Sequence, residues 1–122
     1  MPPELLPNYL RMYRKRAGFS QREVASLLGI QSAAQVSRYE RFRREPTLRT
    51  VFMFGVILNQ APTELFAGLH EQATGVVQER ARVLRHRIEL RQNDPRLARK
   101  FAALQAITEA DIDELHYEPI LP

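Results

Sequence analysis

The stretch 20–46, SQREVASLLGIQSAAQVSRYERFRREP, constrains the chain more than any other. Ser20 and Glu23 form a Ser-x-x-Glu pattern, in which hydroxyl and carboxylate each satisfy an orphan amide at a helix start. Val24, Ala25 and Leu28 follow at helical spacing, and Gly29 supplies the left-handed residue that closes a helix. After Ile30 and Gln31 the same logic returns as Ser32 and Gln35, Ser-x-x-Gln, opening a second helix that runs through Arg38 and Tyr39 towards Pro46. Punctuation of this kind sets two short helices on either side of a glycine-led turn.

On the second helix Val36 and Glu40 lie four apart on one face, while Ala34, Ser37, Arg38 and Arg41 share the other. The first face suits packing, and the second is small or basic. The major groove of double-stranded DNA, about 12 Å wide, admits a helix with such a face because no bulky apolar group blocks its approach to the base edges. Arg38 can grip O6 and N7 of a guanine bidentately, Gln31 or Gln35 can pair with adenine, and Ala33 or Ala34 can meet a thymine methyl. Arg38 is the foremost candidate. Gln35 has a competing task, since a side chain folded back as a cap cannot also reach a base, and Ser37 suits a phosphate as well as a base. Gln21 and Arg22 stand at the positive end of the first helix and are expected on phosphates, the alternative for Arg22 being an ordinary solvated arginine. The cluster Arg41, Arg43 and Arg44 is expected to straddle phosphates.

Phe19-Ser20-Gln21, Val24-Ala25, Leu28-Gly29-Ile30, Val36-Ser37-Arg38-Tyr39-Glu40 and Arg44-Glu45-Pro46 together resemble the lambda-repressor-like (Cro/cI, xenobiotic-response-element) helix-turn-helix family. The similarity covers residues 6–66. It implies an all-α, five-helix DNA-binding domain with Gln21 on the DNA backbone. It also implies an ion pair between a helix-one arginine, here Arg14, and the glutamate late in the recognition helix, here Glu40; both are then structural, and two unrelated solvated charges are the alternative. Two departures stand out. Six residues separate Gly29 from Val36, one more than is common in the family, which leaves the register of base contacts open by one. Phe42 stands where the family generally has glycine, and a bulky residue is not expected at positive φ. Either the recognition helix extends further or Phe42 packs down as an anchor.

Charge is divided along the chain. Residues 1–60 hold ten Arg and Lys against four Asp and Glu, a net of +6, and residues 61–122 hold eight against ten, a net of −2, which together give the formal +4. The positive excess coincides with the helix-turn-helix half, as a phosphate-binding surface requires. The absence of cysteine removes disulfides, thiolate metal sites and cysteine nucleophiles. His70, His86 and His116 show no metal-ligand spacing and accompany no nucleophile motif, and there is no Gly-rich phosphate loop. No catalytic residue, metal or cofactor is therefore expected, and the chain is not expected to be an enzyme. Its longest apolar run, 51–58, falls short of the roughly 20 residues of a membrane span, and no leader-like segment opens the sequence, so a soluble cytoplasmic protein is expected.

Before the motif, Pro7 suits a helix start, with Leu10, Tyr13 and Ala17 inward and Gly18 as the stop. After it, Thr47 caps a fourth helix in which residues 51–58 carry no polar side chain. A helix apolar all round must be covered on both sides, by the carboxy-terminal helices, a second subunit or both, so Phe54 and Ile57 are assigned to packing or to a dimer contact. Gly55 either admits a close approach or is simply tolerated. Pro62 opens a short fifth helix, and Gly68 marks a domain edge. Residues 71–92 predict a long helix on which Ala73, Val77, Ala81, Leu84 and Ile88 form one stripe beside Val76, folded back on helix four or zipped against a partner; Val77, Leu84 and Ile88 are its packing or dimer candidates. Arg80, Arg82, Arg85, Arg87 and Arg91 read better as a solvated face than as a second DNA site. Asp94-Pro95 opens another helix with Leu97, Phe101, Leu104 and Ile107 inward, and Thr108 with Asp111 suggests a short capped turn. The last fifteen residues carry five acids and no base, with Ile112, Leu115, Tyr117 and Ile120 interspersed. This tail docks on a partner or on the chain's own basic surface, or is a partly ordered end.

The expected organisation is a DNA-binding domain over 1–68, helices for dimerisation or packing over 69–107, and an acidic tail over 108–122. The expected function is sequence-specific regulation of transcription by a homodimer on a palindromic operator, by repression, with activation left open. The alternative is an antitoxin-like subunit whose C-terminal helices or tail bind a partner protein, with DNA binding as autoregulation.

Overall fold

A computed structural model describes residues 8–90 and 95–110, and all the regular structure within them is helical: α1 (Leu10–Ala17), α2 (Gln21–Leu28), α3 (Ala33–Glu40), α4 (Leu48–Leu58), α5 (Pro62–Leu65), α6 (Ala67–Glu89) and α7 (Leu97–Glu109). The expectations for Pro7, Arg91, Asp94, Asp111, His116 and the tail beyond Ala110 fall outside the described residues. Contacts divide these residues into two units, 8–70 and 71–110, the first turn of α6 belonging to the first.

The first unit contains the five expected helices. Ser20 Oγ accepts from the Glu23 amide at 3.0 Å, and Glu23 returns a carboxylate to the Ser20 amide at 2.9 Å. The backbone bond from Ser20, with its hydroxyl second, holds the Glu23 carboxyl below the usual carboxylate range. Gly29 closes α2 in the left-handed region at φ 78°. Leu10, Val24, Ala25, Leu28, Val36, Tyr39, Phe54, Leu58, Leu65 and Phe66 make the core, in which Phe54 meets Tyr39 and Phe66 edge-on at 5.7 and 6.3 Å between ring centroids. Asn8 ties the start of α1 to the end of α3, accepting from the Leu10 amide and donating to the Tyr39 carbonyl, while the Tyr9 amide donates to the Leu65 carbonyl. Ala17 is exposed, not inward, because the core stops short of the end of α1.

The start of α3 departs from the capping pattern its sequence carries. Ser32 occupies the cap position but its side chain makes no cap bond: the Gln35 amide donates to the Ser32 carbonyl instead, and the Gln35 side chain runs along the helix to Tyr39. The helix also stops at Glu40 and does not run on towards Pro46. Its end is a Schellman closure, with the Arg43 amide donating to the Arg38 carbonyl at 2.8 Å and the Phe42 amide to the Tyr39 carbonyl at 3.1 Å. Phe42 itself takes the left-handed conformation at φ 52°, unexpected for a bulky residue, and packs its ring on the core as the anchor alternative requires. The strain, on the order of 1–2 kcal/mol, is offset by that packing.

Thr47 caps α4 by accepting from the Thr50 amide. Only the side carrying Phe54 and Leu58 is buried within the chain; Leu48, Phe52 and Val56 are 71%, 58% and 83% exposed. The helices of this unit reach one flank of α4 alone. Gly55 does admit a close approach, but from the chain's own return: an added Cβ would lie 3.1 Å from the Gln60 carbonyl oxygen, behind the turn that Asn59 makes at φ 53°. Gly68 is buried inside the first turn of α6, which starts at Ala67 directly after the α5 turn, and it lies two residues before the division at 70/71.

In the second unit Ala81, Ile88 and Leu104 are buried, flanked by Leu97, Phe101 and Ile107. The single stripe expected on α6 splits. The partner helix α7 covers Ala81 and Ile88 but leaves Val77 and Leu84 46% and 42% exposed, because it sits on the side that also carries Gln78 and Arg85. The helix expected after Pro95 is α7, which begins two residues later at Leu97, and Thr108 opens no further capped turn but lies in the last turn of α7, donating its hydroxyl to the Leu104 and Gln105 carbonyls. Gln78 closes the end of α7 by donating to the Ile107 and Ala110 carbonyls at 3.1 and 2.8 Å. Arg82 pairs with Glu79, and Arg85 pairs with Glu89 while resting on the Phe101 ring, as a solvated face requires. No described helix is long and apolar enough to cross a membrane.

Candidate nucleic-acid interface

Behind α3 stands a buried polar network. Arg14 reaches Glu40 with Nε at 2.5 Å and Nη2 at 3.1 Å, and its Nη1 donates to the Phe19 carbonyl at 3.0 Å. Gln21 adds a third donor to Glu40 at 3.2 Å. The last residue of α3 is thereby tied to α1 and to the first residue of α2. A buried pair of this kind adds little net stability over an apolar replacement, yet it fixes the register of the elements it joins.

The opposite face of α3 is open. Ala34, Arg38 and Arg41 are exposed, Ala33, Gln35 and Ser37 are half-buried, and Gln31 is exposed in the turn before them, while Val36 and Tyr39 are buried. Gln35 neither caps the helix nor projects freely. Its amide nitrogen donates to the Tyr39 hydroxyl at 3.3 Å, and its carbonyl oxygen accepts from Arg38 Nη1 at 3.1 Å. The foremost base-reading candidate is thus steered by a residue whose other end rests on the core. The spacing of 35, 38 and 39 carries that signal, but the capping pattern masks it.

Among the phosphate candidates, Arg22 is exposed at the start of α2, and Arg41, Arg43 and Arg44 are exposed at the end of α3 and just beyond it. Arg41 leans back on the Ser37 carbonyl at 3.5 Å. Gln21 is half-buried and already engaged with Glu40, which leaves one of its two amide hydrogens for a phosphate. The packing candidates separate: Phe54 lies inside the core of the first unit, Ile88 lies under α7, Val77 and Leu84 remain half-exposed, and Ile57 lines a groove of about 530 Å³ with Leu27, Leu48, Phe52, Met53 and Val56. Leu27, 51% exposed on α2, extends the apolar surface of α4 and was not anticipated, because it falls outside the stripe that marks the inward face of its helix.

Residues 6–65 match a family described as helix-turn-helix domain. This segment belongs to the helix-turn-helix family, and its sequence and five-helix arrangement are consistent with the lambda-repressor-like group. The domain points to a DNA-binding regulator, with a helical region following it. No curated protein and no solved structure matches the chain.

Proposed function

We propose that the chain is a sequence-specific transcriptional regulator that binds double-stranded DNA as a homodimer across a palindromic operator and represses by occupying it, in the cytoplasm. Binding, not catalysis, is the activity in this reading. The observation that carries it is the outer face of α3, where Ala34, Arg38 and Arg41 are exposed on a helix anchored from behind by Val36, Tyr39 and the Arg14–Glu40 pair.

With α3 in the major groove, small side chains at Ala33 and Ala34 permit close approach to thymine methyls, and Arg38 donates to O6 and N7 of a guanine. Gln35 limits the rotamers of Arg38, so less freedom is lost on contact. Gln31 and Ser37 lie at the margins of this surface. Arg22, Arg41, Arg43 and Arg44, with the spare amide hydrogen of Gln21, hold phosphates on either side, giving affinity and orientation but no base information. One recognition helix reads only a few base pairs. A twofold dimer joins two half-sites about 34–36 Å apart and lengthens the address. The exposed apolar groove of Leu27, Leu48, Phe52 and Val56 supports the presence of a second copy.

A second reading, in which the C-terminal helices grip a partner protein and DNA binding is autoregulation, draws on the exposed Val77 and Leu84 of α6. Selection of bound duplexes from random DNA by the full chain tests the first reading. Enrichment of a symmetric site with two half-sites is the expected result, and retention of all sequences alike overturns it.

A further inference from the structure

The face of α6 turned away from α7 carries a repeat of its own. On a helix of about 3.6 residues per turn, Val76, Val83 and Leu90, each seven from the next, fall within about 20° of one line, roughly opposite Ala81 and Ile88 under α7. They are 40%, 51% and 75% exposed. The two sides of this ridge differ in charge, with Arg80 and Arg87 along one and Glu79 and His86 along the other. Arg80 and Arg87 have no ion pair among the described residues, whereas Arg82 and Arg85 pair with glutamates of their own helix.

A seven-residue repeat of apolar side chains suits a second helix, because each side chain of such a seam enters a hole made by four residues of the facing helix. On α6 the hole at the level of Val83 consists of Arg80, Val83, Leu84 and Arg87, spaced i, i+3, i+4 and i+7. These four, with Glu79, line a groove of about 380 Å³. Charge then sets the direction. In a parallel pair the arginine side of one helix meets the glutamate side of the other, and Arg80 faces Glu79 of the second copy, twice by symmetry. In an antiparallel pair like sides meet, and Arg80 would face Arg87. A charged residue at the edge of an apolar seam costs stability but fixes the register.

We propose that α6 pairs in parallel and in register with α6 of a second copy, through Val76, Val83 and Leu90, with Glu79 of each chain facing Arg80 of the other. This contact rests on the homodimer put forward above. Its seam of about two heptads is shorter than the roughly three to four of a free-standing coiled coil, so it adds to the α4 flank and does not replace it. The chain has no cysteine, and a single one introduced into the full chain can therefore link only to its own counterpart. Val76→Cys and Val83→Cys are expected to give disulfide-linked dimers on oxidation, and Arg82→Cys, off the ridge, about ten-fold less. Linkage at position 83 falls about five-fold when Glu79→Arg is added and recovers when Arg80→Glu joins it. Should a charge variant lose its helix content, linkage at 76 and 83 in the parent background still decides. Linkage at 83 without 76, equal linkage at 82, or a yield indifferent to charge reversal overturns the proposal. A dimer mass by sedimentation with no linkage at 76 or 83 overturns the α6 contact alone, whereas a single-chain mass overturns it together with the homodimer; neither outcome bears on whether α3 reads DNA.

Discussion

Arg14 and Glu40, 26 positions apart, meet in a bidentate ion pair whose side chains are only 11% and 4% exposed. Glu40→Ala strands a buried guanidinium and is expected to cost about 3–5 kcal/mol, whereas the double replacement Arg14→Met with Glu40→Leu recovers most of that loss. Urea titration of the two single variants and the double variant measures the coupling. A loss below about 1 kcal/mol for Glu40→Ala contradicts the assignment of this pair as the anchor of α3.

Arg38→Ala is expected to lose roughly 1–3 kcal/mol on the selected DNA site while binding to random duplex stays nearly unchanged. Gln35→Ala, which frees Arg38 without removing it, should lose less on the same site. Titrations against both duplexes check this, and an equal loss on random DNA rules out base reading by Arg38.

The cluster beyond α3 should act differently. Alanine at Arg41, Arg43 or Arg44 is expected to weaken all sequences alike and to reduce the slope of log affinity against log salt by about 1 for each phosphate contact removed. A change confined to the preferred site would instead give these residues a reading role.

Phe42 reverses the ordinary ranking of small residues. Phe42→Ala loses ring packing yet keeps the left-handed strain, while Phe42→Gly loses the packing and relieves the strain, so the glycine variant should be more stable than the alanine variant by about 1 kcal/mol. Thermal melts of the two variants side by side decide it.

The two flanks of α4 predict opposite phenotypes. Phe54, 1% exposed between Tyr39 and Phe66, has no room for a charge, and Phe54→Asp should leave no folded domain by circular dichroism. Phe52→Glu with Val56→Glu changes exposed positions, so the domain should still fold, while the mass of the proposed homodimer, measured by sedimentation, should fall to that of a single chain. An unchanged dimer mass would remove the α4 flank from the subunit contact.

Local punctuation was legible where one residue has one partner within reach. Ser20 with Glu23, Gly29 as a stop, and Thr47 as a cap all depend on bonds across three or four positions, and each forms as its pattern specifies. Ser32 with Gln35 is spelled the same way and does not form: the Gln35 amide donates to the Ser32 carbonyl, and its side chain finds the Tyr39 hydroxyl one turn ahead and Arg38 beside it. Spacing alone cannot weigh a backbone amide against a side-chain partner of similar strength. The conformation of Phe42 was hidden for a related reason: its backbone strain is local, but the ring contact that offsets it depends on residues distant in sequence. On α6, periodicity identified apolar residues at helical spacing but not the angle from which α7 would approach, so Val77 and Leu84 read the same as Ala81 and Ile88.

The uncapped start of α3 gives the recognition helix unequal ends. The Glu40 end is held by the Schellman turn and three donors, whereas the first turn has no side-chain cap from Ser32 and follows a connection one residue longer than is common in its family. Amide hydrogens around Ala33 and Ala34 should therefore exchange with solvent sooner than those around Tyr39. On a duplex that looser turn can settle differently on different steps, so discrimination should be sharp at the base under Arg38 and permissive towards the position facing Gln31.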